Sequence, residues 1–132
     1  MDGVGSILDV GGGTGAFSFP LARRGFDVTH VDFSPAMLTL AREKALDKGN
    51  IRFVEANAAD LSEFDDLSFD LILAMDGAIS FAGTQAERAL KECCRVTRST
   101  LITTVSPLSS FVPRWVAASR RCMESSSRPL TP

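Results

Sequence analysis

The chain has few of the residues that build metal sites or disulfide frameworks. Its 132 residues include a single histidine and three cysteines, Cys93, Cys94 and Cys122, two of them adjacent. An odd number of cysteines with no Cys-x-x-Cys spacing predicts neither a disulfide framework nor a zinc site. We therefore expect free thiols, no metal, and a reducing compartment such as the cytoplasm.

An excess of one charge and long apolar runs are also missing. Fourteen basic residues stand against sixteen acidic ones, a formal net charge of -2, so the chain offers nucleic acid no basic surface. No apolar segment is long enough to span a membrane. The N-terminus lacks a basic stretch followed by an apolar run, so no signal peptide is predicted. We expect a soluble cytoplasmic protein that binds neither nucleic acid nor membranes.

The chain does contain an alternation of apolar strands and helical patterns. Such an alternation predicts a parallel sheet covered by helices on both faces. Right-handed crossovers then make the fold a doubly wound, mainly parallel α/β sheet. The predicted strands are residues 6–10, 27–31, 51–54, 69–74 and 100–105, and the first predicted helix is 16–24.

Capping signals predict where two further helices begin. Ser34 followed by Pro35 is a serine cap with proline at the first helical position. Thr84 with Glu87 three residues later forms a capping box, which predicts a helix that runs through about Val96.

A glycine-rich loop, Asp-Val-Gly-Gly-Gly-Thr-Gly at residues 9–15, follows the first strand. Doubly wound sheets bind ligands at the carboxyl ends of their strands, so this loop lies where a ligand is expected. Gly11, Gly13 and Ala16 satisfy the dinucleotide fingerprint Gly-x-Gly-x-x-Gly/Ala. The same stretch contains Asp-x-Gly-x-Gly-x-Gly, which resembles the class I S-adenosylmethionine-dependent methyltransferases.

Two acidic residues bear on the choice between these cofactors. Asp9, beside the loop, would repel a pyrophosphate but would suit the ammonium and sulfonium groups of S-adenosylmethionine; alternatively, it only accepts hydrogen bonds from the loop amides. Asp32 follows the second strand, where an acidic residue accepts from ribose hydroxyls in either class of enzyme. Its alternative is an ordinary loop aspartate near a helix start.

Four further segments resemble the methyltransferase pattern in the right order, and the resemblance covers about residues 5–106. By this resemblance, Phe33 and Met37 pack against the adenine ring. Asn57 accepts from the adenine amino group where the family commonly has aspartate, and the backbone amide of Ala58 meets the ring edge. The four segments are VDFSPAML at 31–38, NAADL at 57–61, SFDLIL at 68–73 and ALKECCRV at 89–96.

The resemblance implies S-adenosyl-L-methionine as cofactor and a small-molecule methyl acceptor. Asp76, after the fourth strand, is a weak candidate for a catalytic base, with shaping of the pocket as the alternative. His30 is expected to be structural. The residues implied at the cofactor are Asp9, Gly11, Gly12, Gly13, Thr14, Gly15, Asp32, Phe33, Met37, Asn57, Ala58 and Met75.

The two ends of the chain depart from the family pattern. The N-terminal helices, the Pro-Gly-Gly before the fifth strand and the final antiparallel strand pair are not recognisable. We expect a core at 1–106 with strand order 3-2-1-4-5 and an extension at 107–132, partly helical within 111–123 or disordered. The fifth strand would then be an exposed edge through which a homo-oligomer forms. A non-catalytic cofactor-binding module and an NAD(P)-dependent oxidoreductase remain the alternatives to a methyltransferase.

Overall fold

The computed structural model describes residues 5–45, 50–75, 85–105 and 114–119. Within these ranges no helix combines the length and apolar character needed to cross a bilayer. The elements described are β1 (Ser6–Val10), α1 (Ser18–Arg23), β2 (Asp27–Asp32), α2 (Pro35–Lys44), β3 (Ile51–Glu55), β4 (Phe69–Ala74), α3 (Ala86–Val96), β5 (Thr97–Val105) and β6 (Arg114–Ser119).

One sheet contains all six of these strands in the order β3-β2-β1-β4-β5-β6. The first five strands are parallel to one another. The predicted doubly wound fold with strand order 3-2-1-4-5 is therefore confirmed. The order reverses beside β1, so the loops after β1 and β2 lie at the edge where such sheets bind ligands.

The core lies on both faces of the central strands. Because successive side chains of a strand point to opposite faces, Ile7 and Leu8 of β1 are both fully buried but lie in different clusters. Ile7 packs with Ala22 of α1, and Leu8 packs with the α3 face that includes Cys93. Burial raises the pKa of the Cys93 thiol to about 12, which makes Cys93 an inert core residue.

The structure confirms the predicted start of α2. Ser34 caps α2 as predicted, and its Oγ accepts a hydrogen bond from the N–H of Met37 at 3.3 Å. At the start of α3, Gln85 occupies the cap position without a side-chain hydrogen bond, and the predicted Thr84–Glu87 capping box stays a prediction. Thr84 itself lies outside the described residues.

The connection from α3 to β5 has no turn of the Pro-Gly-Gly kind. Val96 ends α3, and Thr97 begins β5 directly, three residues before the predicted start. The pairing of β4 with β5 shifts register between Phe69 and Leu71. There the Thr97 hydroxyl donates to the carbonyl of Thr100 at 3.2 Å, so a side-chain hydrogen bond supports the irregular strand start.

The C-terminal extension corrects three expectations. β6 pairs antiparallel with β5 from Thr100↔Ser119 to Val105↔Arg114. The helix expected within 111–123 is wrong at 114–119, one antiparallel strand is present rather than missing, and β5 is not an exposed edge. The physical reason is that the backbone N–H and C=O groups of β5 find partners on β6. The surface assumed for the predicted homo-oligomer is thus covered, and the sheet extends past the predicted core boundary at residue 106.

Candidate cofactor site

The glycine loop folds back over the end of β2. The N–H groups of Gly11 and Gly12 both donate to the carbonyl of Val31, at 2.8 and 3.0 Å. Gly11, Gly13 and Gly15 have φ of 67°, 58° and 94°, a left-handed conformation that residues with a Cβ rarely adopt. The alternating glycines of the sequence motif are therefore the ones that the loop backbone itself requires.

Asp32 ties this loop to the start of α2. Its Oδ2 accepts from the N–H of Gly13 at 3.0 Å, and its Oδ1 accepts from the N–H of Ser34 at 2.9 Å. The side chain is 7% exposed. Each carboxylate oxygen has a further lone pair, so Asp32 can hold the loop and still accept a hydrogen bond from a ligand.

Asp9 lies beneath the loop and is only 1% exposed. Its Oδ2 lies 2.6 Å from the hydroxyl oxygen of Ser18 in α1. The carboxylate thus contacts the helix that follows the loop. Because it is nearly fully buried, its influence on a ligand is electrostatic and not a direct contact from the surface.

Two buried polar side chains that the sequence did not single out as site residues complete this layer. Ser18 and His30 are fully buried, and the Nδ1 of His30 lies 2.8 Å from the Ser18 Oγ. The Nε2 of His30 lies 3.1 Å from the carbonyl of Gly13. Asp9 and His30 are register partners on β1 and β2, so a polar residue opposite Asp9 in the neighbouring strand was the available signal.

An aromatic side chain marks the entrance to the site. Phe33, directly after Asp32, is 75% exposed. Met37 is half-buried, and its Cε would lie 3.7 Å from a Cβ built on Gly13. Met37 therefore lies beside the loop at Gly13, and the contact of Phe33 and Met37 with an adenine ring stays a prediction.

The loop after β3 holds the other predicted adenine contacts. The Oδ1 of Asn57 accepts from the N–H of Ala59 at 2.8 Å, and its carbonyl accepts from the N–H of Asp60 at 2.8 Å. Asn57 is exposed and Ala58 is half-buried. The amide of Asn57 thus shapes its own turn. Asp60 is exposed as well, and hydrogen bonds from Ser62 lower the pKa of its carboxyl.

Glu92 and Arg95 of α3 clamp this loop from behind. The Oε2 of Glu92 accepts from the N–H of Leu61 at 2.8 Å, while Nη2 of Arg95 donates to the Leu61 carbonyl at 2.8 Å. Nη1 of Arg95 donates to the carbonyl of Phe64 at 2.9 Å and to Asp66 at 2.8 Å. The guanidinium beside it lowers the pKa of Glu92. The Glu-x-x-Arg part of the sequence motif, Glu92 and Arg95, is thus a structural clamp.

The remaining predicted residues have three different positions. Thr14 is half-buried and, with Gly15, lines a cleft of about 300 Å³ against α1. Met75 is 4% exposed and packs in the same cluster as Ile7 and Leu73. Asp76, the catalytic candidate, lies outside the described residues.

The donors and acceptors of the loop fit S-adenosylmethionine better than a dinucleotide. Residues 9–15 include one carboxylate and no basic side chain, an arrangement that favours a cationic sulfonium and ammonium over a pyrophosphate. The carboxylate of Asp32 at the end of β2 suits ribose hydroxyls. The exposed ring of Phe33 offers an apolar face next to it.

Comparison with known proteins agrees with this geometry. The family model described as a methyltransferase domain matches residues 7–100. The chain is 32% identical over 108 residues to the magnesium-protoporphyrin O-methyltransferase of Rhodobacter capsulatus, covering 80% of this chain and 47% of that protein. It is 42% identical over 93 residues to the demethylmenaquinone methyltransferase of Thermus thermophilus, covering 68% of this chain and 41% of that protein.

Solved structures give the same result for the fold. The magnesium protoporphyrin IX methyltransferase of Synechocystis, solved with bound SAM, superposes with a TM-score of 0.67 at 27% identity, covering 80% of this chain and 50% of that one. The chain thus spans about half the length, or less, of the proteins to which it is similar.

These matches separate the two cofactor classes that the glycine motif left open. They are to methyltransferases and not to nicotinamide enzymes, so the predicted class, fold and cofactor are confirmed. The chain therefore belongs to the methyltransferase-domain family, with a class I Rossmann-like core and S-adenosyl-L-methionine as its cofactor.

Proposed function

We propose that this chain binds S-adenosyl-L-methionine at the carboxyl ends of β1 and β2 and directs its methyl group to a small-molecule acceptor. The observation that carries the proposal is the Asp32 carboxylate. It is held by the N–H groups of Gly13 and Ser34 at 3.0 and 2.9 Å and lies directly before the exposed ring of Phe33. An anchored acceptor beside an open aromatic face matches a ribose joined to an adenine.

Each part of the site has a distinct proposed role. Asp32 accepts from the ribose hydroxyls, and Phe33 and Met37 contact the adenine ring, with the methionine thioether making a soft contact to an aromatic face. Asn57 and Ala58 contact the adenine edge. The loop backbone, turned by Gly11, Gly12, Gly13, Thr14 and Gly15, gives the amino-acid part of the ligand close access. Asp9 and Met75, both buried, stay proposed members of the site.

The chemistry requires positioning more than proton transfer. The cofactor supplies an electrophilic methyl group on a sulfonium, which leaves as a neutral thioether. The protein accelerates such a displacement by holding the acceptor atom in line with the methyl group at contact distance. A general base is needed only when the acceptor loses a proton. Asp76, which follows β4 in the sequence, stays our candidate for that role.

A small molecule is the acceptor class that we propose. The relatives from Rhodobacter capsulatus and Thermus thermophilus are named for a protoporphyrin and for demethylmenaquinone, and both of these acceptors are small molecules. The formal net charge of -2 does not favour binding to the polyanionic backbone of a nucleic acid.

A methyl-transfer assay tests this proposal. The purified chain is incubated with S-adenosylmethionine labelled on its methyl group and with cell extracts separated into small-molecule, protein and nucleic-acid pools. We expect label in the small-molecule pool with the wild type and with Asp65→Ala, which changes an exposed carboxylate outside the site, but not with Asp32→Ala. Cofactor binding without transfer to any pool would contradict the proposed enzyme and support a non-catalytic module. Label found only in protein or nucleic acid would contradict the proposed acceptor class.

A further inference from the structure

Gly12 is the one glycine of the loop that backbone conformation does not explain. The described glycines with positive φ are Gly11, Gly13, Gly15 and Gly25, and Gly12 is not among them. A Cβ built on Gly12 would lie 2.4 Å from Cε1, 2.6 Å from Nδ1 and 2.9 Å from Nε2 of His30. These separations are far inside van der Waals contact, so the imidazole ring occupies the space that any side chain at position 12 would need.

The ring of His30 has no freedom to move aside. It is fully buried, and its centroid lies 5.2 Å from that of Phe53 on β3. Its Nε2 lies 3.1 Å from the Gly13 carbonyl. Because a carbonyl oxygen only accepts, Nε2 is the donor of this hydrogen bond. Nδ1 lies 2.8 Å from the Ser18 hydroxyl, so both ring nitrogens have partners.

The same hydrogen bond completes the support of Gly13. Its N–H donates to Asp32 at 3.0 Å, and its carbonyl accepts from His30 at 3.1 Å. Two neighbouring side chains at the end of β2 thus hold the residue from both sides. The Oγ of Ser18, which lies 2.6 Å from Oδ2 of Asp9, links the ring of His30 to β1 as well. The central residue of the loop is therefore fixed relative to two strands and to α1.

We infer that His30 is a positioning residue of the cofactor site, which acts through the carbonyl of Gly13, and that Gly12 and His30 form a size-matched pair. In this pair the missing side chain at position 12 makes room for the ring, and the ring sets the position of the loop backbone. This inference rests on the proposed role of the loop in cofactor binding.

Variants of His30 separate positioning from bulk stability. His30→Gln retains a side-chain N–H donor, whereas His30→Leu fills a similar volume without one. Val28→Ala is the matched control, since Val28 is a fully buried residue of the same strand whose register partner on β1 is Ile7 and not a loop residue. Two quantities are measured for each variant. The first is the thermal unfolding midpoint. The second is the Kd of S-adenosylhomocysteine, measured by isothermal titration calorimetry at a temperature well below the midpoints of all variants.

If His30 positions the loop, the His30→Leu variant changes the Kd, whereas the control changes only the unfolding midpoint. Losing one buried hydrogen bond to the loop is expected to raise the Kd of His30→Leu about tenfold, with His30→Gln within about threefold of the wild type. Val28→Ala is expected to lower the unfolding midpoint and leave the Kd unchanged. If His30→Leu also lowers only the midpoint, or if His30→Gln binds no better than His30→Leu, the positioning role is wrong.

The size-matched pair is tested separately by a double-mutant cycle on unfolding alone. Gly12→Ala is expected to be strongly destabilising in the wild-type background and nearly neutral in His30→Ala, because the smaller side chain leaves room for the added methyl group. Equal effects of Gly12→Ala in both backgrounds would overturn the pair. This cycle needs no ligand, so wild-type protein that fails to bind S-adenosylhomocysteine would refute the proposed function while the cycle still decides the pair.

Discussion

The backbone N–H of Gly13 donates to the Oδ2 of Asp32 at 3.0 Å, across 19 residues of sequence. This hydrogen bond joins the loop after β1 to the end of β2, and it makes Asp32 a structural residue as well as a ligand acceptor. Both roles depend on a carboxylate that is nearly buried, at 7% exposure.

Replacing Asp32 by alanine is expected to reduce stability as well as binding. The substitution removes the acceptor of two backbone N–H groups, those of Gly13 and Ser34. Hydrogen bonds to a charged group contribute about 1.5–3 kcal/mol each, part of which water recovers at this edge. Urea unfolding should show a loss of about 1–3 kcal/mol for Asp32→Ala and less than about 0.5 kcal/mol for the exposed control Asp65→Ala. Equal stability of the two variants would contradict the tether.

Arg95→Lys is expected to loosen the loop after β3. The guanidinium of Arg95 bonds Glu92, Asp66 and two backbone carbonyls at once, a fork that a lysine ammonium does not reproduce. We predict a loss of about 1–3 kcal/mol in the free energy of unfolding.

The control for Arg95→Lys is Lys91→Gln in the same helix. It breaks the Lys91–Glu87 ion pair, whose side chains are 72% and 81% exposed, and such pairs contribute little. If Lys91→Gln lowers the free energy of unfolding as much as Arg95→Lys does, the hydrogen bonds of Arg95 are not what stabilises the loop after β3.

The free energy of unfolding is expected to decrease at mildly acidic pH, in the pH range where His30, the single histidine, titrates. Desolvation lowers the pKa of His30 below the ordinary value of 6.5, against the raising effects of the Gly13 hydrogen bond and of Asp32. The folded chain therefore binds fewer protons than the unfolded chain just below pH 6.5, so the free energy of unfolding decreases as the pH falls from about 6.5 towards 5.

The control for this pH effect is the His30→Gln variant. Most carboxyls titrate lower, near pH 4, so the free energy of unfolding of His30→Gln should be nearly flat between about pH 5 and 6.5. Urea titrations at several pH values measure both slopes. A wild-type slope of the opposite sign, or an equal slope in the variant, would show that His30 is not the group responsible.

Removing β6 should expose the edge of β5, which the sequence analysis expects to be unpaired. A chain that ends at Ser106 lacks the strand that pairs with β5 from Thr100 to Val105, and unpaired edges are templates for association. Size-exclusion chromatography with light scattering should show more self-association for this shortened chain than for the full one at equal concentration. Among the described strands, β6 is the last strand of the sheet in the full chain and β5 in the shortened one, while β3 is the other edge in both. Equal profiles would contradict the protective role of β6.

The sequence predicts the fold well where one local signal decides each element. β1 and β4 have the predicted bounds, because apolar runs end at the glycine loop or at polar residues. α2 has the predicted cap, because Ser34 followed by Pro35 is a local signal for a helix start. The prediction fails at β6, because RWVAAS at an edge has neither clean alternation nor a long apolar run.

The site was predictable in outline but not in its support. The glycines that need positive φ are those at the alternating positions of the motif, so the pattern and the backbone agree. The layer of Asp9, Ser18 and His30 comes from three separate elements that only the register of β1 and β2 brings together. The space that Gly12 leaves for His30 is a tertiary relationship, which no local pattern in the chain encodes.

Calorimetric titration with S-adenosylhomocysteine and with NAD tests the central claim most directly. The claim predicts saturable binding of the first and none of the second. It also predicts a Kd at least tenfold weaker in Phe33→Ala, because the 75% exposed ring contributes an aromatic contact to the ligand without stabilising the fold. Leu40→Ala, which alters a side chain that is 44% exposed on α2, should bind as the wild type does. Binding of NAD in preference, or an unchanged Kd in Phe33→Ala, would contradict a cofactor site at the ends of β1 and β2.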